Sequence, residues 1–68
     1  MPELEALAIN IKTKRKERNE TQLIFALNCG LSQDEISNIE NQKTDPKLST
    51  LQALAAYLGL TVIELLAS

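Results

Sequence analysis

Between Thr21 and Asn41 the chain reads TQLIFALNCGLSQDEISNIEN, and the order of its helix-ending residues leaves little freedom in how it folds. Thr21 is a good N-cap, Gly30 suits a left-handed helix stop, and Ser32 with Glu35 makes a capping box. The pattern predicts one helix over Gln22–Asn28 that ends at Gly30, and a second that starts after Ser32. A turn of about three residues between two helices sets them at roughly 90–120°. Ala26 is small enough to let the second helix pass close, and Leu31, Ile36 and Ile39 fill the angle between the two.

The flanking segments are helical too. Leu4, Leu7 and Ile11 fall at i, i+3, i+7, with Glu3 and Glu5 at the start and the basic run KTKRKER at the end. That arrangement matches the helix dipole and predicts a first helix over about residues 3–18. Leu48, Leu51, Leu54, Ala55 and Leu58 keep the helical period as far as Gly59. Thr61 and Glu64 form a second capping box that opens a last turn or two through Leu66. No strand signal or internal repeat occurs, so the fold class expected is all-α: one compact five-helix domain over residues 1–68, with a helix-turn-helix at about 21–40.

Composition removes several function classes. A chain of 68 residues, 44% hydrophobic, can hold one small core and no second domain. Apolar runs of only a few residues predict neither a spanning helix nor a signal peptide, and the expected location is cytoplasmic, with no membrane partner. With one cysteine and no histidine, neither a disulfide framework nor a common zinc site can be assembled, so no metal and no cofactor is expected. The same inventory, without a Gly-rich phosphate loop, argues against an enzyme. The net charge of −2 predicts weak attraction for nucleic acid in general. Five of the seven basic residues nevertheless lie between Lys12 and Arg18, which reads either as a solvated helix end or as a phosphate-facing patch.

Taken together, Ile11, Arg15, Thr21-Gln22, Ala26, the GLSQ at 30–33, the ISNIEN at 36–41, Lys43, Pro46, Leu48, Leu51, Leu54-Ala55, Leu58-Gly59 and Glu64-Leu65 resemble the lambda-repressor-like, Cro/cI-type (Xre) family of bacterial and phage regulators. The resemblance covers nearly the whole chain. It implies a third helix that enters the major groove of double-stranded DNA, usually in a homodimer reading two half-sites. Gln33, Asp34, Ser37 and Asn38 then fall at or beside base-reading positions. Thr21, Gln22, Ser32, Lys43 and Lys47 fall where the DNA backbone would be held. Glu40 matches a carboxylate that pairs with the first-helix arginine, here Arg15. Asp34 is left with two readings: it accepts from a cytosine amino group, or it is an exposed acid that favours a helix start.

Departures from the family pattern carry their own expectations. Lys14 and Glu20 stand where relatives are commonly apolar, so they pair with each other or Lys14 lays its stem over the core. Gln42 replaces a frequent glycine, and either it or Asn41 takes the left-handed conformation; in the second case the loop with Lys43 leaves the family path. Cys29, in place of a usual leucine, reads as a small core residue. Leu23, Ile24 and Leu27 make the second helix apolar nearly all round, and Ile9 is apolar in the first, so either the helices rotate to bury these residues or, the expectation favoured here, the second-helix patch meets a protein partner. Val62, Ile63 and Leu66 on the last helix are the other candidate interface. The function expected is a sequence-specific DNA-binding transcriptional regulator of repressor type. The alternative is a protein-interaction module that keeps the fold and has weak or lost DNA binding.

Overall fold

Five helices follow one another in the computed structural model, which describes residues 1–68: α1 Pro2–Glu17, α2 Gln22–Cys29, α3 Gln33–Glu40, α4 Leu48–Leu58 and α5 Val62–Leu65. Thr21 caps α2 through its hydroxyl, and Ser32 and Thr61 start α3 and α5 with complete capping boxes. α1 and α4 begin without a side-chain cap.

The helix ends share one device. At Asn19, Gly30, Gln42 and Gly59 the backbone turns left-handed, with φ of 56°, 76°, 57° and 69°. In each case the next residue's N–H reaches back across the last turn: Glu20 to Arg15, Leu31 to Ala26, Lys43 to Asn38 and Leu60 to Ala55, at 3.1, 2.9, 2.8 and 2.9 Å. This closure satisfies carbonyls that the helix leaves open. Two of the four sites do without glycine. Asparagine tolerates the left-handed region comparatively well, whereas glutamine does not. Gln42, not Asn41, is the left-handed residue after α3; Asn41 has φ of −97°. The Lys43 N–H bond to Asn38 therefore keeps the loop against α3.

The core is formed by Leu7 and Ile11 of α1, Phe25 and Ala26 of α2, Ile36 and Ile39 of α3, Leu54 and Ala55 of α4, and Leu65 of α5. Ala26 is fully buried, which lets α2 and α3 approach closely. Phe25 meets the Tyr57 ring edge-on, with centroids 5.5 Å apart at 78°. Asn10 donates its side-chain amide to the carbonyls of Leu65 and Ala67, at 2.9 and 2.8 Å, and so ties the end of α5 to α1. No helix is long and apolar enough to cross a membrane.

Candidate nucleic-acid interface

At ~1.5 Å rise per residue, α3 is a rod ~12 Å long, close to the ~12 Å width of the B-DNA major groove. Ile36 and Ile39 anchor one side of it, at 0% and 3% exposure. The opposite side presents Gln33, Asp34 and Asn38 to solvent, with Ser37 half-buried among them. Asn41, exposed one turn beyond Ser37, donates to the Ser37 carbonyl at 2.9 Å and lies 3.4 Å from its hydroxyl. The sequence gives Asn41 no place among the site residues, although its i+4 spacing from Ser37 on the outer face is the signal that finds it.

The carboxylates of this segment have different surroundings. Glu35 turns back on its own helix start, accepting from the Ser32 N–H at 3.0 Å, while the Ser32 hydroxyl accepts from the Glu35 N–H at 3.1 Å. Glu40 takes two charged bonds from Arg15, from Nε at 2.7 Å and from Nη2 at 3.1 Å, with the side chains 4% and 13% exposed respectively. Its hydrogen bond to Glu40 raises the Arg15 pKa against the opposing pull of burial. Arg15 also donates to the Glu20 carbonyl at 2.9 Å. Asp34 alone of the three has neither an ion pair nor a side-chain hydrogen bond.

Gln22 also turns to this pair. Half-buried, it donates Nε2 to Glu40 Oε1 at 3.2 Å, so of the Thr21-Gln22 couple only Thr21 is exposed. The Thr21 oxygen accepts from the Ile24 N–H at 3.2 Å, which leaves its own O–H free to donate outward. The same holds for Ser32. Lys43 and Lys47 are both exposed in the loop after α3. A cleft of about 530 Å³ opens between α3 and this loop, and Asn38 and Lys47 both line it.

The basic run at the end of α1 is largely spoken for by other side chains. Arg15 is paired with Glu40, Arg18 with Glu20 at 3.1 Å, and Lys14 sits 3.7 Å from Glu17. Of the seven cations this leaves Lys12, Lys16, Lys43 and Lys47 without an ion pair.

Lys14 and Glu20 do not pair with each other. Glu20 instead accepts from Tyr57 Oη at 2.6 Å, Asn28 Nδ2 at 2.7 Å and Arg18 Nε at 3.1 Å. The Tyr57 hydrogen bond above all, helped by Asn28 and Arg18, lowers the Glu20 pKa. The Arg18 guanidinium in turn lies 4.5 Å from the centre of the Tyr57 ring. A hydrogen-bonded knot around Glu20 thus stands where a Lys14–Glu20 pair was one of the two expectations. Lys14 keeps a half-exposed side chain, consistent with a stem laid along the surface. Nearby Cys29 packs partly buried against the core, and burial first, then Glu20, push its thiol up to about 11.

Two apolar surfaces lie outside α3. Leu23, Ile24 and Leu27 of α2 are 48%, 46% and 64% exposed, and Ile9 on α1 is 63% exposed. On α5 only Ile63 is open, at 82%; Val62 and Leu66 are partly buried and pack on the core. The expected three-residue α5 surface is therefore reduced to one residue, because so short a helix must turn both its flanking side chains inward to stay docked.

A polar, exposed helix held across a second helix by a left-handed glycine turn defines a class of protein. The helix-turn-helix family model matches residues 11–65, and the chain belongs to that family in its Cro/cI (Xre) type, a family of DNA-binding transcriptional regulators. Among its relatives is the immunity repressor protein of Bacillus phage phi105, 44% identical over 52 residues. That match covers 76% of this chain but 36% of the repressor, so the chain spans little more than a third of that relative's length. The crystal structure of a hypothetical transcription factor, NHTF, from Neisseria is similar with a TM-score of 0.85 and 30% identity, over 94% of this chain and 74% of that one.

Proposed function

We propose that the chain is a repressor-type, sequence-specific regulator that occupies operator DNA through α3, without catalysis. The observation that carries this reading is the outer face of α3: Gln33, Asp34 and Asn38 stand exposed on a helix whose inner face and last residue are fixed by Ile36, Ile39 and the Arg15–Glu40 pair. Gln33 and Asn38 carry amides that suit adenine, and with Asp34 and Ser37 they form the base-reading set. Thr21, Ser32, Lys43 and Lys47 hold the phosphates, and Gln22 serves that end by positioning Glu40. The cytoplasm follows as the place of action, since that is where operator DNA is reached.

Size favours a homodimer. The chain measures 26 Å along its longest axis, less than the ~34 Å between successive half-sites on one face of DNA, and it holds one reading helix. Two copies are needed for a two-fold operator. Ile63 and the exposed α2 residues are the two surfaces proposed for joining them.

A second reading, a protein-interaction module with little DNA affinity, is favoured by one observation: three of the five cations in the α1 run are already paired, while α2 exposes Leu23, Ile24 and Leu27. Selection of bound sequences from a random duplex pool, followed by salt titration, separates the two. A regulator enriches one motif and binds it far more tightly than random DNA, with affinity falling as salt rises. No enriched motif, and no binding at low salt, leaves the interaction module. In that case Ile24→Glu lowers the mass of the complex in solution, whereas unchanged mass removes the α2 patch as an interface.

A further inference from the structure

The outer face of α3 holds one charged group that no other side chain of the protein engages. Asp34 is the second residue of α3, exposed, with no cation or side-chain donor in contact, while the neighbouring Glu35 and Glu40 are both committed within the protein. Ser37 and Asn38, one turn on, present only neutral groups beside it. If α3 enters the groove, this carboxylate goes with it, and it must meet a donor or lose its water for nothing.

The edges of the base pairs differ sharply in what they offer a carboxylate. Guanine shows two acceptors, N7 and O6, and thymine shows the O4 acceptor beside a methyl group. Adenine has the N6 amino donor, but its N7 acceptor lies alongside and repels the second carboxylate oxygen. Cytosine presents the N4 amino donor with no acceptor of its own on that edge. A carboxylate in the groove is therefore matched by cytosine and penalised by the other three bases.

We propose that Asp34 makes this chain require a cytosine at one position of each half-site. The proposal rests on the reading of α3 as the base-reading helix, and it names a base that this reading left open. It also gives the acid a second effect: Asp34 disfavours phosphate, so binding to unselected DNA is held down along with binding to the wrong operator.

The test compares the wild-type chain with Asp34→Asn and Asp34→Ala, both of which keep an exposed, uncaged position and so leave the fold intact. Each protein is taken through selection from a random duplex pool, and each is then titrated with the wild-type motif carrying all four bases at the position in question. Wild type is expected to fix cytosine there and to bind the other three bases about ten- to a hundredfold more weakly. Asp34→Asn is expected to move the preference at that position to adenine, whose N6 and N7 suit an amide, with the rest of the motif unchanged. Asp34→Ala is expected to lose the preference altogether. If all three proteins enrich the same motif and the variants merely bind every duplex more tightly, Asp34 only repels phosphate and the proposal is overturned. If wild type enriches no motif, the base-reading role of α3 fails first and takes this proposal with it.

Discussion

α2 and α3 are the same length, carry polar N-caps and bury two residues each, Phe25 with Ala26 and Ile36 with Ile39. Their outer sides could hardly differ more: α2 shows Leu23, Ile24 and Leu27 to solvent, while α3 shows Gln33, Asp34 and Asn38. Because each helix is docked from its inner side, the outer residues are not demanded by the fold. They report what each face meets. Under the function proposed above, the polar face meets DNA and the apolar face meets protein.

The largest effects should fall on the part the helices share. Phe25→Ala and Ile36→Ala each empty a fully buried site, and losses of about 3–5 and 2–5 kcal/mol are expected in chemical unfolding. In a domain this small, the first is enough to unfold much of the population. A small loss from either would mean that its helix is docked by something other than its core residues.

Next in size is the anchor that only α3 possesses. Arg15→Ala leaves the Glu40 carboxylate nearly buried and unpaired, at an expected cost of about 3 kcal/mol. Arg15→Met, which fills the space but also strands Glu40, should recover little; pairing it with Glu40→Leu should recover most. Recovery by Arg15→Met alone would show that packing, not the pair, holds α3.

The faces themselves come third. Gln33→Ala is expected to weaken operator binding by ~1–3 kcal/mol and to relax one base preference, without changing unfolding. Leu27→Gln, its counterpart on α2, should leave every base preference unchanged, any loss of affinity being equal across all duplexes. A relaxed base preference from both would erase the division between the faces.

The smallest effect concerns how the two helices stop. α2 ends on Gly30 and α3 on Gln42, both left-handed. Gln42→Gly removes a side chain from a conformation that costs L-residues about 1–2 kcal/mol, offset by the added freedom of glycine when unfolded. A net gain of about 1 kcal/mol is expected in thermal unfolding; a loss would mean that the Gln42 side chain contributes a contact that outweighs its strain.

Much of this was legible in the chain because the signals are local. The capping boxes at Ser32 and Thr61 and the glycines at 30 and 59 act within a few residues, so their spacing alone places the helices. Glu20 could not be read in this way: its partner Tyr57 is 37 positions away in sequence, and only the folded chain brings them together. The choice between Asn41 and Gln42 at the end of α3 turned on which carbonyl the next N–H reaches, a matter of one residue that propensity does not decide. Val62 and Leu66 are named with Ile63 from the resemblance alone, and a helix of four residues is too short for a period to separate them. Gln22 was read for its place in the family, and its bond to Glu40 depends on how α2 crosses α3.

Amide-shift mapping of the isotope-labelled chain, titrated with its selected duplex, tests the division between α2 and α3 most directly. If the division holds, the large, saturable shifts fall at Gln33, Asp34, Ser37, Asn38 and Lys43, with Leu23, Ile24 and Leu27 still. Shifts centred on Leu23, Ile24 and Leu27, with α3 unmoved, would contradict it.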